Sequence, residues 1–134
     1  MIKARNYNPA VKHGAKWDAS DIAGFLGLPY VNDIFYVDPT NGSDTANNGG
    51  SEDEAFKTVN KAEDQTVSGK HDVVVIVPGG GSGRTSEASA IVWDKRFTHL
   101  IGIAAPTYVN PRAGMSFGSG VATPSMTVSN NGCI

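Results

Sequence analysis

The chain has 134 residues, 40% hydrophobic and 18% charged, which suffices for one domain with its own core and does not predict two. Its net charge of −2 gives no electrostatic case for nucleic-acid binding, which needs a basic face, and no apolar run approaches the roughly 20 residues of a membrane span. Its 16 glycines and 7 prolines favour turns and short strands over long helices.

The single cysteine, Cys133, excludes an internal disulfide framework and suits synthesis in the cytoplasm. The first residues lack the apolar stretch of a secretory signal, so no export is predicted. Interaction with nucleic acid or with a membrane is not expected.

The first 33 residues are predicted to form an N-terminal anchoring arm that contains one short helix. Residues 1–16 show no periodicity, so they are predicted to be extended. A helix of about two turns follows, because Ile22, Phe25 and Leu26 recur at helical spacing. Asp18 or Ser20 is predicted to cap the start of this helix, and Gly27 with Pro29 is predicted to end it.

The arm carries large apolar side chains that so short a helix cannot bury by itself. Two interpretations are open: the arm folds back onto the core of its own domain, or it docks into a neighbouring subunit. The predicted partner-interface residues are Tyr7, Pro9, Trp17, Phe25 and Tyr30.

The body, residues 34–134, begins with a β-rich run at 34–37 that ends in the turn residues Asp38 and Pro39. After a loop rich in Asn and Gly, Ser51 and Glu54 have the spacing of a capping box, which predicts a capping helix over 52–65. The run 73–77 is apolar without alternation, so it predicts a strand buried on both faces.

Oxygen-rich side chains near this loop raise the question of a calcium site. They are Asp38, Asp44, Glu52, Asp53 and Glu54. Their order lacks the spacing of a calcium-binding loop, so turn and capping roles are predicted and no metal site is expected.

The glycine-rich run 79–83 follows the buried strand, as a phosphate-binding loop would. The phosphate-loop pattern needs glycine at 78 and lysine at 84, where the chain has Pro78 and Arg84, so a flexible loop is predicted. The three histidines lack metal-ligand spacing, and His99 is predicted to be a core histidine. No catalytic residue and no cofactor are predicted.

The remaining strand candidates are short, and each is bounded by turn residues. They are 90–94, 98–103, 107–110, 114–117 and 125–128, with a further strand beginning in 128–134. The predicted fold class is therefore mainly β: a short β-helix-like or sandwich-like body with an extended arm, a short helix and a capping helix. At its last strand, either a partner chain covers the open edge or further residues follow.

The opening of the body resembles that of right-handed parallel β-helices of the pectate-lyase-like superfamily. The motifs that carry the resemblance are Tyr36-Val37-Asp38-Pro39, Asn41-Gly42-Ser43-Asp44, Gly49-Gly50-Ser51, Ala55-Phe56-Lys57-Thr58-Val59, and Asp72 to Gly79. The resemblance implies that the first strand and the helix close one end of the coil. Enzymes, adhesins and viral spikes share this opening, so it implies no activity.

The whole chain resembles structural proteins of tailed bacteriophages. The motifs are Asn6-Tyr7-Asn8-Pro9-Ala10, Gly14-Ala15-Lys16-Trp17-Asp18, Phe25-Leu26-Gly27-Leu28-Pro29, Trp93-Asp94-Lys95, and Thr98-His99-Leu100-Ile101-Gly102. The resemblance implies a virion protein: a capsid decoration protein, or the base of a head fibre or tailspike. It would be assembled in the host cytoplasm, bind the major capsid protein or another virion protein through its arm, and form a homo-oligomer such as a trimer.

The alternative is a carbohydrate-binding or polysaccharide-lyase-like β-helix module that recognises a surface glycan. Its aromatic platforms would come from Trp93, Phe97, Tyr108 and Phe117.

Overall fold

The computed structural model describes residues 18–77, 84–103 and 113–134. Within these ranges the protein is mainly β with two α-helices, as predicted, and it also has one 3-10 turn. The elements in chain order are α1 (Ala19–Leu26), β1 (Ile34–Val37), the 3-10 turn (Glu52–Glu54), α2 (Val59–Gln65), β2 (Val73–Ile76), β3 (Arg84–Glu87), β4 (Ile91–Trp93), β5 (His99–Gly102), β6 (Gly114–Phe117) and β7 (Met126–Val128).

The strands pair in three separate sheets, and every pairing between the described strands is parallel. One sheet has the order β1-β2-β5, the second pairs β3 with β6, and the third pairs β4 with β7. The register places Ile34, Val73 and His99 side by side in the first sheet. The chain therefore passes through the three sheets in the same order twice, first with β2, β3 and β4 and then with β5, β6 and β7.

Strand β2 is buried on both faces, as its uninterrupted apolar run predicted. Val74 and Ile76 belong to the inner core with Trp93, whereas Val73 and Val75 belong to the cluster that α1 covers. Because burial of one aliphatic side chain contributes about 1.5–3 kcal/mol, this strand is a main source of stability.

Helix α1 begins and ends where the sequence predicted. Asp18 is the cap: its carboxylate accepts from the backbone N–H of Asp21 at 2.8 Å, and the Asp21 carboxylate accepts from the N–H of Asp18 at 3.3 Å. Gly27 ends the helix with a left-handed φ of 69°, which favours glycine. The buried side chains Ile22 and Ala23 fix the helix on the outer face of the first sheet.

The predicted capping helix over 52–65 is wrong in its first half. Ser51 caps only the 3-10 turn, residues 55–58 are not helical, and α2 begins at Val59 with Thr58 as its cap. The cause is the backbone pairing of Phe56 with β1. The N–H of Phe56 donates to the carbonyl of Tyr36 at 2.9 Å, and the carbonyl of Phe56 accepts from the N–H of Asp38 at 2.8 Å. This backbone pairing needs an extended chain at Phe56, which the core also buries.

Strand β3 was not predicted, because its sequence is polar. Its burial alternates, with Arg84 and Ser86 exposed and Thr85 and Glu87 buried. The predicted strands at 34–37, 73–77, 90–94, 98–103, 114–117 and 125–128 are confirmed as β1, β2 and β4 to β7. The predicted glycine-rich loop (79–83) and the strand candidate at 107–110 lie outside the described residues.

Candidate functional site

The outer side of α1 exposes a large aromatic ring. Phe25 is 72% exposed, whereas Ile22, one helical turn earlier, is 1% exposed. An exposed fraction this large is unusual for a phenylalanine on a helix whose other side packs against the body. The helix therefore presents Phe25 outward from a fixed position.

Tyr30, in the loop that follows α1, is 49% exposed. Its ring lies edge-on to that of His71, with the ring centroids 5.0 Å apart and the planes at 77°. This edge-to-face contact orients the exposed ring against the loop before β2. We refer to Phe25 and Tyr30 together as the α1 face.

The structure places two of the five predicted interface residues on the α1 face. The other three, Tyr7, Pro9 and Trp17, lie outside the described residues. Ile22 is buried and packs α1 onto the core of its own domain, whereas Phe25 stays exposed. The predicted partner stays a prediction.

A pocket of about 340 Å³ lies between the start of α1 and β1. Its lining residues are Ala19, Asn32, Asp33, Ile34, Phe35, Tyr36 and Gly50. Burial, followed by the nearby carboxylates of Glu52 and Asp18, raises the pKa of the Tyr36 hydroxyl above its usual 10.0. Tyr36 is therefore neutral at physiological pH and can only act there through its ring and its hydroxyl hydrogen bonds.

Two of the five acidic side chains considered for calcium, Asp38 and Asp44, accept several hydrogen bonds from the neighbouring chain. Asp38 Oδ1 accepts from the N–H groups of Thr40 and Asn41, at 2.8 and 3.0 Å, and its Oδ2 accepts from the Asn41 side-chain amide at 3.1 Å. Asp44 accepts from the N–H groups of Lys57 and Thr58 and from the Thr58 hydroxyl. In the described ranges no group of three or more His, Cys, Asp or Glu side chains is placed to hold a metal ion. The prediction of turn chemistry is confirmed for Asp38, whereas Asp44 joins its loop to the residues that precede α2.

The histidine prediction is also confirmed. His99 is fully buried, its Nε2 lies 3.1 Å from Nδ1 of His71, and its Nδ1 accepts from the N–H of Ile134 at 3.2 Å. Burial, followed by the proximity of the His71 ring, lowers the pKa of His99 below its usual 6.5. No spacing in the sequence indicated that His71 would meet His99, because the two residues are 28 positions apart.

Of the aromatic platforms expected for glycan binding, Trp93 is buried, and Phe97 and Phe117 are partly buried. Trp93 is 1% exposed and belongs to the inner core, so its prediction as a glycan-stacking residue is wrong. Phe117 packs against the same core, and Phe97 packs against the ring of His71. Tyr108 lies outside the described residues.

A second pocket, of about 300 Å³, opens at the end of the body near β5 and β7. Its lining is apolar: Trp93, Leu100, Met126, Val128, Cys133 and Ile134. Val128, which is level with Trp93 in the register, is 56% exposed, and Ile134 is 55% exposed. The sequence predicted an open strand edge in this region, but nothing in the sequence predicted the pocket.

Comparison of the chain with protein-family models, with curated proteins and with solved structures finds no match. Among the described residues, no helix has the length and apolar character needed to cross a membrane.

Proposed function

We propose that this protein is a structural component of a tailed-bacteriophage virion, a capsid decoration protein or the base of a fibre or spike. Residues 1–33 anchor it to the major capsid protein or to another virion protein by non-covalent docking. The body projects from the particle as a symmetric homo-oligomer, for instance a trimer.

The α1 face is the observation that carries the proposal. A ring that is 72% exposed costs free energy in water, and that cost is recovered when a partner pocket covers the ring. Aromatic anchors of this kind dominate the energy of many protein interfaces. Because Ile22 and the Asp18 cap fix α1, Phe25 loses little conformational freedom when it docks.

We further propose that the body is a short right-handed parallel β-helix. Among the described strands every pairing is parallel and the order of the three sheets repeats, and both features support this proposal. A β-sandwich would instead pair its strands mostly antiparallel. The backbone of Gly49 and Phe56 bonds to β1 on the side away from β2, which fits a covered first edge.

The docking is tested with the double variant Phe25→Ser, Tyr30→Ser, produced in infected cells in place of the natural chain. The matched control is Val92→Ser, since Val92 is another large exposed side chain, 55% exposed, on β4. Copies per purified particle are counted by mass spectrometry. We expect the double variant to be incorporated at least roughly tenfold less than the natural chain, because a buried aromatic anchor contributes about 2 kcal/mol or more. The control should be incorporated normally. Equal incorporation of the double variant would overturn the assignment of the anchor.

A further inference from the structure

The rings of His71 and His99 are linked to the backbone of Ile134 by two consecutive contacts. The ring planes are nearly parallel, at 11°, and Nδ1 of His71 lies 3.1 Å from Nε2 of His99. On its other side, His99 Nδ1 lies 3.2 Å from the backbone nitrogen of Ile134. His99 is fully buried, whereas His71 is partly exposed.

These contacts determine which nitrogen carries each proton. The backbone N–H of Ile134 can only donate, so His99 Nδ1 must be the unprotonated acceptor. The neutral His99 ring therefore carries its proton on Nε2 and donates it to His71 Nδ1. His71 in turn carries its own proton on Nε2. The arrangement requires both rings to be neutral.

We propose that His71 and His99 form a proton-operated clamp, which holds the chain at Ile134 while both rings are neutral and releases it when either ring gains a proton. A proton on His99 Nδ1 would face the N–H of Ile134, so two donors would oppose each other. A proton on His71 Nδ1 would face His99 Nε2–H. His99 would then have to shift its proton to Nδ1, and the bond to Ile134 would again be lost. The partly exposed His71 thus passes the solvent pH to the buried contact.

Lys70 precedes His71 in the chain and is exposed, and the other charged groups on the surrounding elements make contacts of their own. The Asp72 carboxylate accepts from Asn32, from the N–H of Asp33 and from the N–H of Val67. The ammonium group of Lys95 pairs with Glu63, and the guanidinium group of Arg96 lies over the Phe97 ring. From the preceding loop, Tyr30 contributes a ring edge to His71. From the C-terminal segment, the Cys133 thiol points to the carbonyl of Lys95.

Release at Ile134 would affect the end of the body. The carbonyl of Ile134 accepts from the N–H of Leu100 at 2.8 Å, so the same residue also covers part of the β5 edge. Ile134, Cys133 and Leu100 line the apolar pocket at this end. Acid would therefore weaken the contact of Ile134 with β5 and loosen the side of the pocket that Ile134 lines, while the rest of the sheet stays folded.

The test is nitrogen-15 NMR on the full chain, from about pH 8 to about pH 5. It records the side-chain nitrogens of both histidines and the hydrogen-exchange protection of the Ile134 amide, each relative to the unprotected rate at the same pH. At about pH 8 we expect His99 to carry its proton on Nε2 and the Ile134 amide to be protected. Protection should fall roughly fivefold or more with the same midpoint as the first histidine titration, which corresponds to losing one hydrogen bond. The amides of β2 should remain protected.

A variant of His71 shows whether release of Ile134 depends on both histidines or on His99 alone. His71→Asn suits the left-handed φ of 57° at this position, because asparagine tolerates that region. Without His71, only protonation of the buried His99 can release Ile134, and burial lowers the pKa of His99, so the midpoint of Ile134 release should move to lower pH. Unchanged β2 amides would show that the variant folds.

Three results would overturn the clamp. The first is a proton on His99 Nδ1 at about pH 8. The second is Ile134 protection that does not change through the titration of both histidines. The third is an unchanged release midpoint in a folded His71→Asn variant. The first two results are measured on the natural chain, so the proposal can be tested even if the His71→Asn variant does not fold.

Discussion

The carboxylate of Glu87, in β3, accepts a hydrogen bond from the backbone N–H of Val59, the first residue of α2, at 2.9 Å. Its second oxygen accepts from the N–H of Asn60 at 3.2 Å. Glu87 is 1% exposed, so a buried charge is compensated by the unpaired amides at the start of a helix. This contact joins α2 to a strand that lies 28 residues later in the chain.

Replacement of Glu87 by alanine is expected to lower the free energy of unfolding by about 2–4 kcal/mol, because two buried helix amides lose a charged acceptor. Glu87→Gln keeps one acceptor oxygen, so it should cost about half as much. Urea unfolding followed by tryptophan fluorescence measures both effects. Glu54→Gln, at an exposed glutamate in the 3-10 turn, is the control and should change the stability by less than about 0.5 kcal/mol.

Two glycines are expected to respond in opposite ways to alanine. At Gly42 an added Cβ would lie 2.5 Å from the carbonyl oxygen of Asp38 and even closer to that of Phe56, and both atoms belong to the backbone. Gly42→Ala should therefore destabilise by about 2 kcal/mol or more. At Gly24, inside α1, an added Cβ meets no atom within 4 Å, so Gly24→Ala should stabilise by about 0.5–1 kcal/mol. Thermal unfolding of the two variants compares them, and equal midpoints would contradict the packing described at Gly42.

The stability contributed by Glu63 is expected to depend on pH with a definite sign. Burial raises the pKa of Glu63 above its usual 4.5, although the Lys95 ammonium, 3.4 Å from its Oε1, opposes that shift. An acid whose folded pKa is raised contributes stability that is complete below the unfolded pKa and is lost as the pH rises through the folded pKa.

Glu63→Gln cannot titrate, so it isolates this contribution. The free energy of unfolding of the natural chain, minus that of Glu63→Gln, should fall as the pH rises above about 4.5. Urea unfolding of both proteins from about pH 4 to about pH 8 gives this difference. If this difference in the free energy of unfolding rose over the same interval, attraction to Lys95 would outweigh burial and the pKa of Glu63 would be lowered, which would contradict this prediction.

Trp93 is expected to act as a core residue. Because its side chain is 1% exposed, Trp93→Ala should cost about 3–5 kcal/mol of stability. Trp93→Phe, which retains an apolar ring, should cost clearly less. Circular dichroism during thermal unfolding compares the two, and a stable Trp93→Ala protein would contradict the burial of this ring.

The sequence predicted those helices and strands whose own residues carry a clear apolar or capping pattern. The apolar run of β2 predicted a strand buried on both faces, and Asp18 and Gly27 marked the ends of α1. Strand β3 was missed because one of its buried residues is Glu87, whose burial depends on helix amides far away in the sequence. The helix over 52–65 failed because Phe56 pairs with β1, and a local capping signal at Ser51 does not report that pairing.

The candidate site was predicted only in part. The helical spacing and the inability of a two-turn helix to bury its aromatic residues indicated that Phe25 would need a partner or a core. The spacing placed Ile22 and Phe25 close together on α1, so it did not reveal that only Ile22 would be buried. The burial of Ile22 follows from its contact with the outer face of the first sheet.

The most direct test of the proposed function is whether the natural chain travels with assembled particles. The lysate of the producing cells is separated on a density gradient, and the proteins of each band are quantified by mass spectrometry. Our account predicts that the chain is found with the DNA-filled particles at a fixed ratio to the shell protein. Recovery of the chain only as free protein at the top of the gradient would contradict it.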